Sequence, residues 1–149
     1  MAVGDVIPPE YLSTRIATGQ LTADSATWAG TESGALISAT GFLTAGQTYI
    51  IQAFGRVSSD VTGTEISLMR IRADGPPAGA HLLAGAVFIP NNVALGISMG
   101  GMYTEYTAGA SGSKTFTLSG LRNTGTGNHR IRASTDTPAY LIVDLKVPA

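Results

Sequence analysis

The sequence predicts an all-β domain, an antiparallel sandwich or barrel of about eight strands with an extended N-terminal arm, and three observations predict it. From about Gly34 onward, short runs alternate apolar and polar side chains, the period of a strand with one buried face. Segments rich in Gly, Pro, Asn and Asp separate the runs at the spacing of turns and loops. No segment after the arm offers sustained i, i+3, i+4, i+7 apolar spacing with caps, which sets a βαβ arrangement aside. At 149 residues the chain suits one domain with its own core and is too short for two of ordinary size. The division read is an arm over 1–32 and a β domain over 33–149.

The arm lacks the strand rhythm. Val6-Ile7-Pro8-Pro9 is extended, because each proline lacks an N–H and biases the residue before it away from helix. Residues 10–16 leave room for at most a short turn of helix. Val6, Ile7, Tyr11, Leu12 and Ile16 are too many apolar residues for a solvated tail. They either fold back on their own domain or lie on a neighbouring subunit or another protein. The second reading is preferred, and it makes Val6, Ile7, Pro8, Pro9, Tyr11 and Leu12 candidate partner contacts.

The strands follow in order. Residues 34–43 place Ala35, Ile37 and Ala39 on one side. Residues 48–58 place Tyr49, Ile51, Ala53 and Val57 on one face and Ile50, Phe54 and Arg56 on the other. Runs 64–73 and 81–89 flank Asp74-Gly75-Pro76-Pro77-Ala78-Gly79, a stretch of turn chemistry. After Pro90-Asn91-Asn92, the run 94–107 is interrupted by Gly100-Gly101, the mark of a bulge or a close backbone approach. Runs 113–121, 128–134 and 139–147 complete the set. In the last, Leu141, Val143, Leu145 and Val147 share one face, which predicts a central strand with its mixed side exposed or at a subunit contact.

Composition narrows the function. Charged residues are 13% of the chain, against roughly 25% in an average soluble domain, so much of the surface is neutral and suited to burial against copies or partners. A net charge of −1 gives no overall pull toward nucleic acid or acidic membranes. Without Cys there is no disulfide framework and no thiolate metal site, and the compartment stays open. Residues 1–6 carry Asp5 and lead into Pro8-Pro9, unlike a signal peptide, and nothing approaches the roughly 18 apolar residues of a membrane span. The expectation is a protein made in a cytoplasm and assembled without secretion or membrane insertion.

Gly96-Ile97-Ser98-Met99-Gly100 matches the nucleophile-elbow string, but more strand follows where a helix is required, so Ser98 reads as an outward strand residue. Gly109-Ala110-Ser111-Gly112-Ser113-Lys114-Thr115 carries Ser where a phosphate-binding loop needs Gly before its Lys, and reads as a hairpin. Asn123-Thr124-Gly125-Thr126-Gly127 reads as a flexible turn. His81 and His129 lack metal-ligand spacing and read as polar surface or interface residues. The carboxylates, Glu105 among them, stand singly. No catalytic residue, metal or cofactor is assigned. Arg70 with Arg72, and Arg130 with Arg132, are two apart and share strand faces. These pairs either recognise acidic groups of a partner or subunit, or form salt-bridged faces.

The order of runs resembles the trimeric, tumour-necrosis-factor-like jelly-roll modules of tailed-bacteriophage virion proteins. The residues carrying the resemblance are Gly46-Gln47-Thr48-Tyr49-Ile50-Ile51-Gln52-Ala53-Phe54-Gly55-Arg56-Val57, Leu68-Met69-Arg70-Ile71-Arg72-Ala73-Asp74-Gly75, Lys114-Thr115-Phe116-Thr117-Leu118, Arg130-Ile131-Arg132-Ala133-Ser134 and Leu141-Ile142-Val143-Asp144-Leu145. It spans about 34–147 and leaves the arm unmatched. The resemblance implies a homotrimer of jelly-roll subunits, here of eight antiparallel strands. It implies either a decoration protein cementing the major capsid protein on the outer capsid surface, or a tail or fibre tip recognising a host receptor or glycan. The absence of a shaft repeat or second domain favours decoration. A glycan-cleaving enzyme is a third class, weakened by the lack of a clustered carboxylate pair, so the protein is read as not an enzyme. A cellular lectin of this fold is a further alternative.

Overall fold

The computed structural model describes residues 14–90 and 96–147. Among them are eleven strands and no helix: Arg15–Leu21 (β1), Ile37–Leu43 (β2), Thr48–Phe54 (β3), Arg56–Ser59 (β4), Glu65–Ala73 (β5), Ala80–Ile89 (β6), Ile97–Ser98 (β7), Met102–Thr107 (β8), Gly112–Thr124 (β9), His129–Arg132 (β10) and Ala139–Leu145 (β11). Two sheets have four strands each, in the orders β1-β11-β3-β8 and β2-β9-β5-β6; a third, β10-β4-β7, has three. Every pairing is antiparallel.

The small sheet prolongs the first. β3 and β4 are one strand bent at Gly55, where a Cβ would come within 2.9 Å of Met99 and 3.0 Å of Ala139. Likewise β7 leads into β8 across residues 99–101, while β10 and β11 pair with consecutive parts of the β4–β3 strand and are separated by the six-residue loop 133–138. Eleven strands less these three breaks leaves eight, in two layers with the interleaved order of a jelly roll. Phe116, Leu118, Ile51, Met69, Ile71, Ile131, Leu141 and Val143, all at 0% exposure, fill the space between the layers. As the alternation predicts, β11 is central, with Leu141 and Val143 turned inward.

The structure corrects four sequence expectations. Arg15–Leu21, placed in the arm, is the edge strand β1, paired to β11 over Arg15↔Asp144 to Leu21↔Ala139. The rest of the 14–32 stretch also packs on the domain, with Trp28 only 4% exposed. Residues 109–115 are not a hairpin: β8 pairs with β3 and β9 with β2 and β5, so this stretch crosses from one layer to the other. The runs 128–134 and 139–147 are two strands, as read, but both lie along the bent β3–β4 strand and occupy one position in the layer, so the eighth position is filled by β1. Val6, Ile7, Pro8, Pro9, Tyr11 and Leu12 lie outside the described residues.

Candidate interaction surfaces

The segment between β1 and β2 closes one end of the sandwich. It pairs with β10 through the Trp28–His129 bridge, then follows the free edge of β9, where Ser33 N donates to Gly120 O and Leu36 N to Leu118 O. The Trp28 indole enters the end of the core and donates Nε1–H to Ser67 Oγ at 3.1 Å. Its ring meets His129 edge-on, with centroids 6.2 Å apart.

His129, read as surface or interface, is fully buried. It shares the inward face of β10 with Ile131, and its Nε2–H donates to Glu65 Oε2 at 2.9 Å. Glu65 also accepts from the backbone N–H of Thr126 at 2.9 Å and of Gly127 at 3.2 Å. Burial pushes the Glu65 carboxyl up, but the His129 and backbone hydrogen bonds hold it below the ordinary carboxylate range. Gly125, at φ 105°, turns the loop so tightly around this carboxylate that a Cβ would collide with it. The flexible turn read at 123–127 is thus the last residues of β9 and a loop wrapped on an internal anion.

Arg70 and Arg72 share the outward face of β5, and both guanidiniums engage Glu32. Arg70 Nη1 donates to Oε2 at 2.7 Å, Arg72 Nε to Oε1 at 2.7 Å and Arg72 Nη2 to Oε2 at 2.8 Å; Ser119 Oγ donates to Oε1 at 2.6 Å. The Arg72 hydrogen bond is the main cause that lowers the Glu32 pKa from 4.5 to about 2, against burial and with help from Ser119 and Arg70. Arg130 and Arg132 lie on the outward face of β10, opposite Ser58 and Arg56 respectively, and Arg132 Nη1 donates to Asp24 Oδ2 at 2.6 Å.

Two outer faces carry exposed apolar side chains. On the β1-β11-β3-β8 sheet, register places Tyr140 beside Phe54, Ile142 beside Gln52, and Gln52 beside Tyr103. Phe54 is 39% and Tyr103 50% exposed. Tyr103 OH donates to Glu105, which also receives Lys146 Nζ at 2.8 Å; the Lys146 bond, then that of Tyr103, hold the Glu105 carboxyl below its ordinary range. On the opposite sheet, Ile66 faces Phe88, itself 57% exposed, and Leu68 lies between Ala86 and Leu121.

The remaining motif residues have ordinary places. Ser98 is an exposed strand residue whose Oγ accepts Gly100 N–H at 3.1 Å. Lys114 lies on β9, paired to Asp74, and no helix follows it. His81 is exposed on β6. Among the described residues, no three of His, Asp and Glu converge as metal ligands.

No protein-family model and no curated protein matches this chain. It is similar in shape to the CBM22-1–GH10 modules of xylanase 10B from Clostridium thermocellum, solved with xylohexaose, at a TM-score of 0.41 and 14% identity over 92% of this chain and 28% of that one. The infectious bursal disease virus VP2 subviral particle gives 0.40 and 14% identity over 99% of this chain and 42% of that one. A family 16 carbohydrate-binding module gives 0.26 and 14% identity over 95% and 89%. The chain therefore spans less than half the length of the first two.

Proposed function

We propose that this protein is a non-enzymatic virion structural protein, a decoration protein that sits as a homotrimer on the outer capsid surface of a tailed bacteriophage and cements neighbouring copies of the major capsid protein. The observation that carries the reading is the pair of separate outer faces with exposed aromatic residues: Phe54 and Tyr103 on one sheet, Phe88 beside Ile66 on the other. A cementing trimer needs one surface for its own copies and another for the shell, and large exposed apolar side chains that cluster mark such surfaces. Three weak shell contacts held on one trimer reinforce one another. The carboxylates are consistent with a binding role, since Glu32, Glu65 and Glu105 are each spent on hydrogen bonds within the fold. Val6, Ile7, Pro8, Pro9, Tyr11 and Leu12 are proposed as the shell anchor, and the arginine-bearing faces of β5 and β10 as further partner or intersubunit contacts. Neither nucleic acid nor membrane enters this scheme, and synthesis in the host cytoplasm fits it.

The test is saturable, symmetry-matched binding to mature capsids, compared with a chain lacking residues 1–13. The deletion stops before β1, which starts at Arg15 and pairs with β11. Retained folding with lost attachment is expected. Unchanged capsid affinity would refute the anchor, and a folded monomer by sedimentation at micromolar concentration would refute the trimer.

The second reading is a tail or fibre tip that recognises a host receptor or glycan. The face formed by Phe54, Tyr103, Tyr140, Gln20 and Gln52 favours it, because aromatic rings beside amide groups suit the alternating apolar and hydroxyl surface of a sugar. Binding to bacterial cells without binding to capsids would select this reading.

A further inference from the structure

Arg56 and Arg132 stand directly opposite each other in the β4–β10 pair. Their inward neighbours Val57 and Ile131 are fully buried, so both arginines point outward from the small sheet. Like charges in register repel, and the fold supplies one counter-charge. Asp24 accepts from Arg132 Nη1 at 2.6 Å and from Ala133 N–H at 3.1 Å. Arg56 receives only a hydroxyl: its Nη2 donates to Thr137 Oγ1 at 2.7 Å, and that hydroxyl is 2.9 Å from Ser134 Oγ. Among the described residues, no carboxylate forms a salt bridge with Arg56.

These groups line one open hollow. Gly96, at φ 78°, lies beside its arginine stems, and a Cβ there would come 3.1 Å from Arg56 Cβ and 3.2 Å from Arg132 Cγ. The hollow thus presents two guanidiniums, one carboxylate and two hydroxyls, and it is one negative charge short of balance.

We propose that this hollow binds the carboxylate of an acidic sugar, with Arg56 as its principal contact. The count of charges calls for a monoanion; a doubly charged phosphate would overcompensate and face Asp24. A carboxylate accepts the parallel N–H groups of a guanidinium. After their mutual bond and the bonds from Arg56 and Thr137 N–H, the Ser134–Thr137 hydroxyl pair keeps one O–H donor, suited to a neighbouring sugar oxygen. The inference extends the reading of Arg132 as a partner contact and stands independently of the capsid assignment.

The test is amide spectroscopy of the 15N-labelled full chain, titrated at low salt with D-glucuronate, D-glucose, N-acetyl-aspartate α-amide and inorganic phosphate. Glucuronate is expected to give saturable shifts centred on Gly96, Ala133 and Thr137, and glucose none. Arg56→Gln should weaken glucuronate binding about tenfold or more, the loss of one charge-assisted contact, with the dispersed spectrum reporting that the variant is folded. Thr137→Val, which keeps every charge, should weaken it less and provides an independent test. Absence of saturable shifts, equal response to glucose, or unchanged affinity in Arg56→Gln would overturn the site. Tighter binding of phosphate or of the aspartate amide would overturn the acidic sugar as its occupant. Because the titration uses the free protein, its failure is separate from any failure to bind capsids.

Discussion

Replacing Glu32 by Gln tests the ion cluster that holds the β1–β2 segment against the outer layer. The Glu32 side chain is 8% exposed, between Arg70 at 24% and Arg72 at 12%. Glutamine keeps the volume but offers one acceptor oxygen to two guanidiniums and Ser119, and turns an NH2 group toward the others. The carboxyl drops from 4.5 to about 2 on folding; at about 1.4 kcal/mol per pKa unit, this corresponds to roughly 3 kcal/mol. Solvent screening on the Arg70 side brings the expected loss to about 2 kcal/mol. A depressed folded pKa gives stabilisation that is full above about 4.5 and lost as the pH falls toward about 2. The difference in unfolding free energy between wild type and Glu32→Gln should therefore be about 2 kcal/mol at pH 7 and fall to about half of that by pH 3. Urea unfolding at matched protein concentration measures it, since self-association would otherwise shift the midpoint. A difference below about 0.5 kcal/mol at pH 7, the level of an ordinary exposed pair, or one unchanged at pH 3, refutes the reasoning.

Three further substitutions probe the closed end of the sandwich. Gly120→Ala drives a Cβ into the Trp28 indole and should cost about 1–3 kcal/mol; Trp28 is the single tryptophan, so its fluorescence should report the displacement, and an unchanged emission spectrum counts against it. Glu65→Gln leaves a buried donor without its anion and should cost about 1–3 kcal/mol at pH 7, an effect that shrinks on acidification because the wild-type carboxyl, held low in the fold, is itself protonated there; equal stability in denaturant would exclude the role. Trp28→Phe removes both the Nε1–H bond to Ser67 and part of the buried ring volume and should cost about 2–4 kcal/mol, with a loss below about 1 kcal/mol by urea unfolding counting against an indole that fills the end of the core.

Local patterns carried most of the fold. Tyr49, Ile51, Ala53 and Val57 keep one phase and are all buried, although Gly55 interrupts the apolar series and the backbone bends between sheets there. β1 was not legible because its rhythm is broken twice: the register shifts between Arg15 and Ala17, and its fully inward position is Gly19, whose missing side chain lets β1 approach the backbone of β2 at Ser38. That β10 and β11 follow one another along the same partner strand was also hidden, since that pairing is long-range. Among the candidate contacts, the shared faces of Arg70 with Arg72 and of Arg130 with Arg132 follow from spacing alone. Their acidic partners do not, because Glu32 and Asp24 come from distant irregular chain. The burial of His129 had a signal: it is two residues from Ile131, and so on the same side of its strand. Arg56 became part of a site only through the register that sets it opposite Arg132.

Trp28 and Glu32 are four residues apart and act on opposite sides of the same layer. The indole fills the inner end of the core, while the carboxylate binds arginines on the outside of β5. Between them, Arg122 N donates to Ala29 O, and just after them Ser33 N donates to Gly120 O, so the chain rounds the free edge of β9 with its backbone paired. This edge would otherwise offer open donors and acceptors to another chain. Apolar contact alone would hold such a segment with little directional preference, because burial is non-directional. The hydrogen bond to Ser67 and the three-way cluster on Glu32 fix its position from both sides. Closing this stretch of β9 removes one site of strand addition, whereas β1, β8, β2 and β6 remain the edge strands of the two large sheets.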